Sequence, residues 1–124
     1  SRAYWLKDPA KRLILQPQSH AEDIRSYLIH NGFKILYEDA CTDSGKLYCA
    51  MAVEFTGEEQ EFSAAYPYTG ELPKCGKPEA KEYLIKIKEH LAKKYEAQQD
   101  FGSAHEAERL KMIIDETEAL IDEM

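Results

Sequence analysis

The sequence has no apolar run long enough to cross a bilayer and no signal peptide at its start, so it reads as a cytoplasmic protein. Cysteine is scarce. Cys41, Cys49 and Cys75 are an odd number without CxxC spacing, which argues against a disulfide framework and a structural zinc site. Reduced, mostly buried thiols are expected instead. The four histidines are scattered and form neither an HExxH nor a Cys/His cluster, so no metal site is expected. Positive charge is in deficit too: 16 Lys and Arg stand against 23 Asp and Glu, a formal net charge of -7. Phosphate contacts need Lys and Arg, so nucleic acid could engage only a local basic patch. Internal repeats and low-complexity tracts are missing, as are a nucleophile elbow, a phosphate loop and a diagnostic carboxylate pair.

What remains is a well-mixed chain. Over 124 residues, 44% are hydrophobic and 31% charged, which suits one folded domain or two sub-domains. Leu13, Ile14 and Leu15 form a short continuous apolar run that suits a strand buried on both faces, as in a parallel sheet, ended by Pro17. Ser19 with Glu22 reads as a capping box opening a helix. Ala21, Ile24 and Leu28 give that helix its apolar spacing, and Asn31-Gly32 closes it. Phe33, Ile35 and Tyr37 alternate as a strand. Asp43-Ser44-Gly45 signals a turn. A second strand follows over residues 47–55, with Leu47, Cys49, Met51, Val53 and Phe55 on one face. Tyr48, Ala50 and Ala52 make its other face apolar as well, which predicts a central strand in an antiparallel hairpin.

Residues 58–77 hold Pro67, Gly70, Pro73 and Gly76 and read as a long loop. Its Tyr66, Tyr68, Lys74 and Lys77 either stack and pair with an unstacked RNA base or pack and solvate the loop. A helix is predicted from Pro78, with Leu84, Ile87, Leu91 and Tyr95 as its stripe. Ser103 and Glu106 repeat the capping box. Ala107, Leu110, Ile114, Thr117 and Ile121 mark a second stripe, so the two helices form an antiparallel hairpin. Lysines 86, 88, 93 and 94, with Arg109 and Lys111, sit among more numerous acids, and they form either a solvated face or, through Lys86, Lys93 and Lys94, a side that touches RNA.

Strand, helix and antiparallel strand pair is the order in which a class I methyltransferase sheet ends. The residues go further. Arg12-Leu13-Ile14-Leu15-Gln16-Pro17 is similar to the "RLILQPN" run of the bacterial tRNA adenine-22 N1 methyltransferases. Ile24-Arg25, Tyr27-Leu28 and Asn31-Gly32-Phe33-Lys34-Ile35 resemble that family's next segment, and Glu38 with Gly45-Lys46 and Tyr48 the one after. Thr69-Gly70-Glu71-Leu72 resembles its "GP-x-L" loop, and a helical tail follows there too. The resemblance is collinear over nearly the whole chain, specific from Arg12 to Tyr48 and compositional after Pro78. Three positions depart from it: Gln18 stands for the usual Asn, Cys49 for the usual Glu and Glu71 for the usual Pro.

The resemblance implies an α/β fold: the C-terminal part of a class I, Rossmann-like methyltransferase sheet, followed by an antiparallel helical hairpin or coiled coil. Residues 1–57 would be the last strands and helix, 58–77 a connecting loop and 78–124 the hairpin. It implies that the complete enzyme moves the methyl of S-adenosyl-L-methionine (SAM) to N1 of a tRNA adenine. Gln16, Pro17, Gln18, Arg25 and Tyr48 are the candidate substrate-binding residues. Gln16 to Gln18 follow a strand at the edge where open α/β sheets place ligands, and a Gln amide can both donate to and accept from an adenine edge. Arg25 either contacts phosphate or is a solvated helix residue pairing with Glu22 or Asp23. The family's glycine-bearing cofactor segments lie upstream of the matched region and are absent here. The chain alone is therefore expected neither to bind SAM tightly nor to be active, and its partners are tRNA and the missing N-terminal half of the same protein. An edge left open at residues 13–15 implies self-association. The rival reading is a non-catalytic helical-hairpin interaction module, or a small regulatory protein derived by truncation.

Overall fold

The computed structural model describes residues 12–17, 20–58 and 60–124, without the side chains of residues 12 and 101. Its centre is a hairpin. Strand β2 (Phe33–Asp43) turns into β3 (Lys46–Phe55) through Ser44 at φ 52° and Gly45 at φ 78°. Two left-handed residues give the turn a twist that matches the flanking strands, and glycine takes that conformation without strain. Strand β1 (Arg12–Leu15) pairs with the other side of β3, giving the order β1-β3-β2 with both pairings antiparallel. As expected, β3 is central: Cys49, Met51 and Val53 are buried on one face and Ala52 on the other.

Two strand expectations need correction. β1 is not buried on both faces among the described residues: Leu13 and Leu15 pack into the core, but Ile14 is 68% exposed. Its pairing there is antiparallel, to β3 alone, so it forms an edge of the sheet. In β2 the alternation breaks after Ile35, where the register moves from Ile35↔Val53 to Tyr37↔Ala52. The extra residue is a β-bulge, and it swaps the faces of everything after it. Tyr37, expected beside Phe33 and Ile35, is 60% exposed, while Glu38 and Ala40 turn inward.

Helix α1 (Ala21–His30) lays Ala21 and Leu28 on the sheet. The capping residue expected there, Ser19, lies outside the described residues; His20 occupies the N-cap with φ 55° and no side-chain cap bond. The stretch read as a loop contains a short helix α2 (Tyr66–Thr69) and a 3-10 turn (Leu72–Lys74), with Leu72 fully buried. Helices α3 (Pro78–Phe101) and α4 (Ala104–Asp122) form the expected hairpin. Ser103 Oγ accepts from Glu106 N at 3.3 Å, but the Glu106 carboxylate turns to Arg109 at 2.7 Å instead of closing the box. Ile113, rather than Ile114, continues the buried stripe of α4. Leu91, Leu110 and Ile113 pack with Ala65, while Ala80, Leu84 and Ile121 run into the core of the sheet beside Met51 and Val53. Each such aliphatic side chain contributes about 1.5–3 kcal/mol on burial. Among the described residues no helix is long and apolar enough to cross a membrane.

Candidate functional site

Because β1 and β3 run antiparallel, the end of β1 lies beside the beginning of β3. Leu15 pairs with Met51, so the chain leaving β1 through Gln16 and Pro17 passes the Tyr48-Cys49 segment. The start of α1 returns past the same point, and α3 packs into the same core beside it. Together they enclose a cavity of about 300 Å³ lined by Pro17, His20, Glu22, Tyr48, Cys49, Tyr83, Ile87, His90 and Lys94. Tyr83, Ile87, His90 and Lys94 recur at spacings of four, three and four, so one stripe of α3 forms the wall. Burial pushes the Cys49 thiol up, with the Arg25 charge pulling it partly back. Burial likewise pushes the Tyr83 phenol up, helped by Cys49, to which its hydroxyl donates at 3.7 Å. Both groups are neutral at ordinary pH, which leaves the floor of the cavity uncharged and its rim carrying Lys94, Glu22 and the two imidazoles.

The structure thus brings Pro17 and Tyr48 together. Gln16 is exposed just beyond the strand end and does not line the cavity, and Gln18 lies outside the described residues. Arg25 is elsewhere, and both of its expected settings are overturned. Its side chain is 1% exposed and pairs with Glu38, which is itself fully buried, at 2.7 Å. Nε also donates to Glu38, while Nη1 donates to the carbonyls of Pro67 at 3.0 Å and Tyr68 at 3.1 Å. The second Glu38 oxygen accepts from Glu71 N at 2.8 Å. Burial works against the Arg25 charge, and the Glu38 carboxylate more than offsets it, leaving the guanidinium pKa above its ordinary value. With its donors taken up inside the protein, Arg25 offers nothing to a phosphate.

Gly70 is the third member of this cluster. At φ 53°, a Cβ there would sit 1.7 Å from Glu38 Oε2 and 2.5 Å from Arg25 Nε. The ion pair therefore ties α1, β2 and the 66–72 segment together, and only glycine lets that segment come so close. The tyrosines of this segment pack: Tyr66 donates to Glu71 at 3.2 Å, and Tyr68 lies against the hairpin core. Its lysines are engaged as well, Lys74 with Glu71 at 3.3 Å and Lys77 with Asp39 at 2.8 Å. A hollow of about 500 Å³ along β2 is bordered by these paired lysines and so presents less charge than its composition suggests.

Sequence alone assigns no site role to Glu38, Tyr83 or His90, and it sets Lys94 among the other lysines of the hairpin without distinguishing it. Glu38 was hidden by the bulge. The α3 residues were legible in principle, since their stripe shares Ile87 with the predicted one and lies beside the buried Leu84 and Leu91. His20, Glu22 and Asp23 bring ligating atoms within 4.8 Å of one another, but His20 and Asp23 are open to solvent, a setting common without an ion. The glycines at positive φ cap a helix, turn a hairpin or punctuate the 57–76 stretch; among the described residues none sits in a tight strand-to-helix turn of the kind that seats a nucleotide cofactor.

Residues 6–123 match the family model described as tRNA (adenine(22)-N(1))-methyltransferase. No curated protein matches the chain. Among solved structures, a candidate tRNA (m1A22) methyltransferase of Streptococcus pneumoniae is similar at 28% identity and a TM-score of 0.67, over 90% of this chain and 49% of that one. The same protein in complex with SAM is similar over 84% of this chain and 47% of that one, with a TM-score of 0.60 and 28% identity. A protein of the NADB-Rossmann superfamily from Streptococcus agalactiae shares the fold at 23% identity and a TM-score of 0.67, over 90% of this chain and 48% of that one. The chain spans about half the length of the solved structures it matches.

Proposed function

From the premise that the chain belongs to the tRNA (adenine(22)-N(1))-methyltransferase family, we propose that it is the substrate-facing half of a cytoplasmic enzyme that transfers the methyl of SAM to N1 of a tRNA adenine. The observation that carries this reading is the meeting of Pro17 and Tyr48 in one cavity at the C-terminal end of β1. Those two residues come from separate stretches that both resemble the family, and the end of such a strand is where open α/β sheets hold ligands. Gln16 and Gln18 flank Pro17 in the sequence, and their amides are the groups assigned to the adenine edge, while Tyr48 contributes to the cavity lining. Residues 1–57 act as the end of the catalytic sheet, 58–77 as the connection and 78–124 as a hairpin that helps hold tRNA.

The residues described do not fit SAM, since they offer no glycine-bearing turn from a strand into a helix, and no step is derived through it on this chain. The cofactor is assigned to the N-terminal half of the protein, paired with this half along β1. For N1 methylation the contribution of these residues is proximity: a positioned base in a pocket that excludes water. The test is methylation of tRNA by the full-length protein, with the modified base mapped by primer extension. Gln16→Ala and Tyr48→Ala should each slow methylation about tenfold or more, the order expected when positioning of a reacting group is lost, while SAM affinity stays nearly unchanged. Unaltered rates, or an equal loss of SAM binding, would remove the assignment.

A further inference from the structure

The α3 wall of the cavity has a chemistry that the methyltransferase reading leaves unused. Lys88, Arg109 and Lys111 on the hairpin each engage a carboxylate, at 3.5, 2.7 and 4.0 Å, whereas Lys94, like Lys81, Lys86 and Lys93, makes no ion pair among the described residues; of these four, Lys94 is the one that borders the cavity. Lys94 also stands on the ridge between two hollows. One is the cavity with Tyr48 and His90; the other, of about 350 Å³, lies between α3 and α4 and is lined by Tyr68, Gln98 and the Glu106–Arg109 ion pair. Across the cavity mouth Glu22 repels an anion.

Resting on the reading that the complete protein takes tRNA, we propose that His90 and Lys94 hold the phosphate of a nucleotide flanking the target adenine, and that the RNA strand leaves the pocket along the α3/α4 groove. The helical hairpin is then a wall of the substrate site as well as an outlying tRNA handle. Cations and imidazoles that border a cavity also lined by tyrosines, here Tyr48 and Tyr83, are the residue types used to hold an unstacked nucleotide. Glu22 on one lip and Lys94 on the other fix the side on which the backbone can pass. In a chain of net charge -7, where an unpaired cation lies matters more than how many cations there are.

The test compares Lys94→Ala with Lys93→Ala in the full-length protein. Lys93 is an exposed neighbour on α3 that borders neither hollow. The two changes remove the same charge one residue apart. Binding of tRNA is measured over a range of salt, and SAM binding separately. Lys94→Ala should weaken tRNA binding about fivefold and reduce the slope of log affinity against log salt by about 0.7–0.9, the value of one phosphate contact. Lys93→Ala should change neither, and SAM affinity should hold in both. Equal effects of the two substitutions would overturn the proposal while leaving the methyltransferase reading intact. Failure of the unsubstituted protein to bind or methylate tRNA would remove that reading and this inference with it.

Discussion

A guanidinium with almost no exposure must have its donors met inside the protein, and Arg25 meets them with Glu38, Pro67 and Tyr68. Removing one partner of a buried pair leaves an uncompensated charge and costs about 3–5 kcal/mol. Glu38→Leu and Arg25→Met should each lower stability by that order, read from the midpoint of urea unfolding. The double substitution should recover part of the loss, because no charge is then stranded. It should not recover all of it, because the carbonyls of Pro67 and Tyr68 and the amide of Glu71 lose their partners, at about 1–3 kcal/mol for each one that stays dry. Gly70→Ala probes the same cluster from the backbone side. Its Cβ collides with both members of the pair at a positive φ, so it should destabilise at least as much as either single change while leaving every charge in place. A Gly70→Ala protein of unaltered midpoint would show that the 66–72 segment does not rest on the pair as described.

At the scale of elements, the parts set by local rules were legible and the parts set by one irregularity were not. The period of two in β3, the turn at Ser44-Gly45, Pro78 at a helix start and the Ser103 cap each follow from residues a few positions apart, and each was readable. The bulge after Ile35 has no such signature: Lys34-Ile35-Leu36-Tyr37 alternates acceptably, and only pairing against β3 shows that one residue is extra. That single residue decides that Glu38 faces inward, so Arg25 could not be given its partner from sequence. Half of the site was legible in the same way, Pro17 and Tyr48 through motif residues, whereas its α3 wall depends on how the hairpin docks on the sheet. The hairpin itself offers a clean test of a local rule. Ser103→Ala removes the side chain that accepts from Glu106 N and should cost about 1 kcal/mol. Ser103→Gly should cost a few tenths. Thermal melting followed by circular dichroism separates the two; equal losses would mean that Gln98, whose side chain accepts from Ser103 N, is the cap that matters.

For the whole molecule the open question of assembly centres on β1. Its inner side pairs with β3, its outer edge has no partner strand among the described residues, and Ile14 adds an exposed branched side chain to that edge. A short apolar strand with unpaired N–H and C=O groups is a template for another strand. In the proposed enzyme that strand comes from the N-terminal half, and in this chain alone a second copy is the available substitute. Sedimentation equilibrium of the chain should therefore give a weight-average mass that rises with concentration. Ile14→Lys should lower that rise, because a charge on an edge strand opposes pairing without touching Leu13 and Leu15, which face the core. The full-length protein, with β1 internal, should show no such dependence, and Ile14→Lys there should reduce stability instead, since the same position would be covered. A chain that stays monomeric at all concentrations would mean that the edge is covered by its own residues, and the pairing proposed between the two halves would have to be placed elsewhere than at β1.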